Sequence, residues 1–570
     1  SEDLKFGVRR AVELIGNEFI YYNREKLHEK MYDKDLAKNL TTESLRFLYR
    51  LLFIFYIEAR PELEFAPIKS EEYRKGYSLE SLRDLELVPL NSEEARNGYY
   101  IDSSLKKLFE LIYSGFGNGA RQIDLWDDIK TEYKTFSFYP LKSHLFDRDL
   151  IPLLGKIKFR NCVLQEIIRL LSLSKEEKRK TRGRISYAQL GINQLGAVYE
   201  GLLSYTGFFA EEDLYQVAEE GKDPDDIKEQ AYFVTETELH KYEEHEKVYE
   251  KDGSLRCYPK GTFVYRLAGR DREKSASYYT PEVLTRCVVK YSLKELLKDK
   301  SADDILNITV CEPALGSGSF LNETLNQLSE AYLSLKQKET GKMIEHDRYA
   351  LEKQKVKAFI GANNIYGVDL NETAVELAEV SIWLNTIYPD EPVPWLRMNF
   401  ATGNSLVGSG KNFFEAKDIK NTEWLSKVPE HIELSGERGE DKIYHFLLPD
   451  KDMVNYKGDK VIGKLVPEKL KIIDEWKKEF VKSFSKRDIE ILKVLSDSID
   501  KLWKSHIEAR KRIKERTKDH YNLPGTEYKE STGITVKQKD NLKKELDYPF
   551  SPYKRLKLVM DYWCSLWFWP

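Results

Sequence analysis

The 570-residue chain has only five cysteines, Cys162, Cys257, Cys287, Cys311 and Cys564. They are far apart, odd in number and never spaced Cys-x-x-Cys, which argues against a disulfide framework or a zinc knuckle. A reducing cytoplasm fits that usage best. No charged-then-apolar leader opens the chain. The most apolar run, residues 45–57, is short and broken by Arg46 and Arg50, whereas a membrane span needs ~20 apolar residues. We expect a buried helix there and no membrane association. Charge of one sign is lacking too: 91 Lys and Arg against 95 Asp and Glu leave a formal net charge of −4. No global basic field therefore exists to hold a polyanion, and any nucleic-acid contact must come from a local patch or from a part outside the chain. Histidine is scarce, and His240 and His245 lie five apart without the glutamate of a zinc-protease helix. No metal site is expected from them.

What is present is the composition of a globular protein, with 41% hydrophobic and 33% charged residues, long enough for three or four domains at ~150 residues each. Residues 1–175 read as a mainly helical domain, since apolar residues in segments such as 44–58 recur at spacings of three and four until Pro61 stops the helix. Within it, Glu132-Tyr133-Lys134 after Asp124 has the carboxylate-plus-lysine shape of a metal-dependent nuclease. Glu-x-Lys is common by chance in a chain so rich in both residues, and we read the triplet as a solvated turn or strand. Residues 176–270 read as a helical and stranded connector. It holds the helix Gln194-Leu-Gly-Ala-Val-Tyr-Glu200, an acidic stretch, and strands around Tyr232-Phe-Val-Thr235 and Thr262-Phe-Val-Tyr-Arg-Leu267.

The chemistry is concentrated in residues 271–408. Pro281 suits the first turn of a helix that Thr280 is placed to cap. Residues 305–310 read as a buried strand leading into Glu312-Pro-Ala-Leu-Gly-Ser-Gly-Ser-Phe320. There Gly316 and Gly318 permit a tight strand-to-helix turn and close approach of backbone to a ligand. The Glu312 carboxylate can receive an ammonium group while the glycine amides face a carboxylate, which are the two ends of methionine. A long helix in two pieces follows to about Phe359. Then Asn364-Ile-Tyr-Gly-Val-Asp369 supplies a second strand ending in an acid placed to accept hydrogen bonds from ribose hydroxyls. Residues 371–385 form an amphipathic helix, and the stretch from Met398 supplies a third strand end, with Asn404 available to the amino group of an adenine.

In this order, Tyr278-Tyr-Thr-Pro281, Glu312-Pro-Ala-x-Gly-Ser-Gly-x-Phe320, Gly367-Val-Asp-Leu370 and Gly403-Asn-Ser-Leu406 resemble the motifs of γ-class N6-adenine DNA methyltransferases. The likeness is greatest to the large methylases of type IIG restriction-modification and of BREX- and DISARM-like phage defence. It extends from about Gly183 to Gly408, and more loosely over the whole chain. The resemblance implies an α/β fold, a Rossmann-like domain with a partial parallel sheet that binds S-adenosylmethionine, and double-stranded DNA as partner, with other restriction or defence subunits as further candidates. Carried over by position, Tyr279 and Thr280 line the methionine side. Glu312, Pro313, Ala314, Gly316, Gly318 and Phe320 surround the methionine and sulfonium. Asp369, followed by Leu370, takes the ribose, and Asn404 the adenine, where many relatives have an acid.

The family's Asn-Pro-Pro-aromatic motif, which grips an extruded adenine, does not occur in the sequence; Tyr548-Pro-Phe-Ser-Pro-Tyr553 has the wrong order. Residues 409–570 read instead as a helical insertion and an aromatic terminal segment. Residues 411–521 form a loop and then helices, with Ile491, Leu492, Leu495, Ile499, Leu502, Trp503 and Ile513 on one stripe and a basic end at 510–516. That basic end is read as a solvated helix face before a phosphate contact. A chain that begins at Ser1 and stops on an aromatic helix is expected to be a piece of a larger protein, cut before the catalytic motif. The reading is therefore the cofactor-binding portion of an adenine-specific methylase, inactive alone. The alternative is a cofactor-holding scaffold or regulatory subunit.

Overall fold

The chain opens on two long helices, α1 (Glu2–Asn23) and α2 (Lys34–Glu58). In the computed structural model the described residues are all except 1, 24–33, 118–135, 139, 142, 175–182, 201–204, 219–231, 251, 267–279, 390–392, 434–435, 457–459, 482–483, 527–533 and 569–570. The nuclease-like triplet and Asp124 lie outside them, as do Tyr278 and Tyr279. The chain divides into two compact units, Ser1–Gly403 with His520–Glu530, and Asn404–Asp519 with Ser531–Pro570.

In the first unit α2 ends at Glu58, before Pro61, as the apolar spacing predicts. It is buried along its second half, where Leu48, Leu51, Leu52, Phe53 and Ile54 are inaccessible to solvent. A helix apolar on every side must be covered on every side. Helix α1 packs on α2 and on α3 (Asn161–Ser172). After α4 (Ile192–Glu200), strands β1 (Thr206–Phe209) and β2 (Phe263–Arg266) pair antiparallel and pack on the first two helices. A separate three-stranded antiparallel sheet joins Leu214–Val217 to Tyr232–Thr235 and Cys257–Tyr258.

Helix α5 (Glu282–Leu296) leads to the α/β part. Strands β3 (Val310–Glu312), β4 (Ile365–Asp369) and β5 (Phe400–Thr402) form a parallel sheet in that order, Glu312 opposite Gly367 and Asp369 opposite Thr402. The crossovers are helical, α6 (Ser319–Thr340) with α7 (His346–Asn363), and then α8 (Glu372–Thr386), which is how parallel strands must be joined. One continuous hydrophobic core runs from Leu4 and Val8 through α2 to Leu321, Ile365 and Trp383.

Three local expectations are corrected. Residues 305–310 are not one strand. Ser301 and Asp304 form a reciprocal capping box that draws Ala302–Ile305 into a helical turn, so the strand starts only at Val310. Residues 411–521 are not a loop followed by helices. The second unit opens with an antiparallel sheet of β6 (Asn412–Glu415), β7 (Glu430–His431) and β8 (Lys442–Tyr444). It then continues with the helix α9 (Lys486–Thr517) and, after it, α10 (Val536–Asp547) and α11 (Pro552–Ser565). On α9, Ile489, Leu492, Ile499 and Ile513 are buried, but Ile491 and Leu495 are exposed. Among the described residues no helix is long and apolar enough to cross a membrane.

Candidate functional site

The three parallel strands end together on one edge of the sheet, and the two expected carboxylates stand at the ends of adjacent strands, Glu312 on β3 and Asp369 on β4. The loop after β3 folds back over β4. The Leu315 amide donates to the Val368 carbonyl at 2.9 Å, and the Gly318 amide donates to the Leu315 carbonyl at 2.8 Å. Gly316 and Gly318 have φ of 52° and 76°, a region that side chains with a Cβ seldom enter. At Gly318 an added Cβ would also stand 3.2 Å from the Ala378 Cβ on α8. The turn therefore requires glycine for its backbone and for its packing.

Asp369 joins the two motifs. Its Oδ2 accepts from the Gly316 amide at 2.7 Å and its Oδ1 from the Asn371 amide at 2.9 Å. Asn371 in turn caps α8, accepting from the Thr373 amide at 2.9 Å. Each carboxylate oxygen has capacity for a second donor. Glu312 and Gly316 are half-buried, Pro313 and Ala314 exposed, and Phe320 packs partly against the core. Leu370 is 67% exposed beside Asp369, so an apolar side chain stands open next to the acid. Burial, and secondarily the charge of Glu312, holds the Cys311 thiol above its usual range, so it is no thiolate nucleophile at neutral pH.

The supports of the loop include residues that the motif reading did not single out. Leu315 is buried and lies over Gly367, where an added Cβ would meet its Cδ1 at 2.7 Å. Gly196 on α4 approaches Ser317, with 3.1 Å from an added Cβ to the Ser317 Oγ. The helix preceding the motifs thus rests on the glycine loop. Asn322 on α6 donates to the Ser381 Oγ at 2.7 Å and accepts from the Asn385 amide nitrogen at 3.0 Å, tying the helices that leave β3 and β4. The only sequence signal for these contacts is small or amide residues at otherwise apolar helix positions.

Thr280 is half-buried but does not cap α5. Pro281 takes the cap position itself, with ψ of 139°, and no side chain caps that end. Tyr279 lies outside the described residues. Asn404 opens the second unit, and its Oδ1 accepts from the amides of Leu406 and Val407 at 2.8 and 3.1 Å, closing its own turn. Among the described residues no group of three His, Cys, Asp or Glu side chains is arranged to hold a metal ion.

Comparison with known proteins places this edge in context. Residues 290–444 match the family model described as MmeI, DNA-methyltransferase domain. Over part of its length the chain is also similar to large restriction enzymes that carry a methyltransferase. It is 28% identical over 192 residues to RM.MjaORFECS2P of Methanocaldococcus jannaschii, whose name assigns it as a type II restriction enzyme and methyltransferase. It is 26% identical over 270 residues to the type II restriction enzyme and methyltransferase RM.Eco57I of Escherichia coli. These matches cover 25% and 42% of this chain but only 15% and 23% of the relatives. A solved structure of the type IIL restriction-modification enzyme MmeI with DNA aligns over 70% of this chain and 40% of that one, at 12% identity and a TM-score of 0.36.

Proposed function

We propose that the strand-end loop binds S-adenosylmethionine in a Rossmann-like domain, and that the chain is the cofactor-binding portion of a cytoplasmic N6-adenine DNA methyltransferase serving restriction-modification or phage defence. The observation that carries the reading is the bond from the Gly316 amide to Asp369, which sets a glycine turn and an acid side by side at the ends of adjacent parallel strands. The acids fit the cofactor, a half-buried glutamate for an ammonium and an aspartate with spare acceptor capacity for paired hydroxyls, whereas the Gly316 and Gly318 amides, expected to face a carboxylate, donate to Asp369 and to the Leu315 carbonyl. Glu312 through Phe320, with Tyr279 and Thr280, would hold the methionine part, and Asp369, followed by Leu370, the ribose; the Asn404 Oδ1, expected at the adenine, accepts from the amides of its own turn instead. The bound cofactor supplies an electrophilic methyl group. This chain's residues bind and orient it, and double-stranded DNA is the acceptor, with other subunits of the system as further partners.

A second reading, a cofactor-holding scaffold or regulatory subunit, is favoured by the lack of any Asn-Pro-Pro-aromatic sequence in the 570 residues. Calorimetry with S-adenosylmethionine tests what both readings share. Binding by the wild type and at least about tenfold weaker binding by Asp369→Ala, or ~1.4 kcal/mol, are expected. No binding, or none lost in the variant, overturns both. Transfer of labelled methyl to DNA by this chain alone is expected to be nil.

A further inference from the structure

A recess in the first unit shares no lining residue with the strand-end loop. It has a volume of about 540 Å3 and is lined by Phe47, Arg50, Lys106, Phe109, Phe159 and Gly155, among others. Cavities of this size take small organic molecules.

Its chemistry is set by Arg50, which projects from α2 and is 1% exposed. Nε donates to the Leu145 carbonyl at 2.6 Å and Nη2 to the Asp147 carbonyl at 2.8 Å. The guanidinium lies 5.4 Å from the ring centre of Phe109 and 6.0 Å from that of Phe146. These contacts leave Nη1 without a hydrogen bond, and the residue contributes to the wall of the recess. Burial pushes its dissociation down to about 9, with Asp147 and Glu43 acting against that shift and Arg46 with it.

Among the described residues no carboxylate ion-pairs with Arg50. Glu43 is engaged by the amides of Leu153 and Leu154, each at 2.9 Å, and Asp147 by the amide of Asp149 at 3.0 Å. Lys106 and Lys107 of the lining are paired, at 2.8 Å from Asp102 and 3.2 Å from Glu110, and Arg148, Glu110, Asp147 and Asp149 also line the recess, leaving its charged side chains with one more cation than anion. A buried guanidinium is unfavourable without a counter-charge, and its planar fork matches carboxylate and phosphate oxygens. The aromatic floor of Phe47, Phe109 and Phe159 suits an apolar body beneath such a head.

We propose that this recess is a binding site for a small organic anion, a carboxylate or phosphate ester on an apolar or ring-shaped body, whose anionic group pairs with Arg50. The site is independent of the cofactor reading.

The test is calorimetry on the full chain with phenyl phosphate, inorganic phosphate and benzoate, with benzyl alcohol as the uncharged control. At least one anion is expected to bind and the alcohol not to. Phenyl phosphate alone identifies a phosphate ester, benzoate alone a carboxylate, and inorganic phosphate would show that the head suffices. Arg50→Gln should weaken binding at least tenfold. Gly155→Phe checks this without touching the arginine: an added Cβ there meets only the Arg148 carbonyl oxygen, at 3.9 Å, so the ring can occupy the recess and block the ligand. Binding by none of the three anions, or binding that persists in Gly155→Phe, overturns the proposal even if Arg50→Gln fails to fold.

Discussion

Arg46 on α2 and Glu376 on α8 form a two-pronged ion pair, Nε to Oε2 at 2.8 Å and Nη2 to Oε1, while Nη1 donates to the Leu150 carbonyl at 2.9 Å. Helix α8 begins three residues after Asp369, so this pair fixes the helical part of the first unit to the element that leaves the acid. Both side chains are less than a fifth exposed. Removing one partner strands the other, and Arg46→Ala should cost about 2–4 kcal/mol in urea unfolding. Lysine cannot reproduce the fork, so Arg46→Lys should recover little. The coupling with Glu376→Ala in a double-mutant cycle should be about 1–3 kcal/mol.

Gly367 and Leu315 form a size-matched contact. Gly367→Ala forces the buried leucine aside, since the new Cβ would sit 2.7 and 2.8 Å from its two methyl carbons. Overpacking of this kind costs about 1–3 kcal/mol. The displaced leucine carries Gly316 with it, so affinity for S-adenosylmethionine should fall alongside stability. Leu315→Val in the same chain should return part of both, measured by unfolding midpoint and calorimetry. Equal affinity in Gly367→Ala and wild type would separate the contact from the site.

Stability should fall as pH rises from about 4.5 to 7 because of Glu58. Desolvation pushes this buried carboxyl up from 4.5 to about 7, although Tyr73 Oη donates to it at 2.7 Å and the amides of Leu79 and Glu80 at 2.9 and 3.0 Å. The folded state keeps a proton that the unfolded chain has already released. The contribution is therefore full below 4.5 and lost as pH rises through about 7, a change of about 3 kcal/mol. Glu58→Gln should flatten this part of the profile while lowering its plateau, because its amide nitrogen would face the Glu80 amide. An unchanged slope in Glu58→Gln would assign the dependence to another group.

Much of the first unit was legible because its signals are local. The end of α2 at Glu58, the strand Ile365–Asp369 and the helix after Asn371 fall within a residue or two of the expected positions, although α2 starts ten residues before the apolar segment 44–58. The Asp369 contact with the glycine loop was not legible, since 53 residues separate the partners and only the sheet brings them together. Two misreadings had local causes that other residues outweighed. The Ser301-Asp304 capping box converted the start of an apolar run into a turn, and Pro281 took an extended ψ that displaced Thr280 from the cap. The sheet of the second unit was hidden because its strands are two to four residues long and edged with charge, as in Asn412-Phe-Phe-Glu415.

Arg438, four residues before β8, clasps that sheet to α9. Arg438, with a side chain 2% exposed, donates through Nε to Asp500 Oδ2 at 2.8 Å, through Nη2 to Asp497 and through Nη1 to the Lys442 carbonyl. Asp500 also accepts from Tyr444 Oη at 2.8 Å, so β8 and α9 share this carboxylate. The hydrophobic clusters of the second unit are small, and a polar clasp should matter more where little apolar surface is buried. Arg438→Ala removes four charge-assisted or carbonyl contacts, one of them to the Gly439 carbonyl at 3.3 Å, and leaves a side-chain void, at a cost of about 2–4 kcal/mol. Asp497 is well exposed and can return to water, so Asp497→Ala should cost less than 1 kcal/mol, whereas Asp500→Ala, which also strands Tyr444, should approach the arginine variant. Limited proteolysis should show faster cleavage within residues 404–519 for Arg438→Ala and Asp500→Ala, and wild-type rates for Asp497→Ala. Equal protection in all three would mean that β8 is held by its apolar contacts alone.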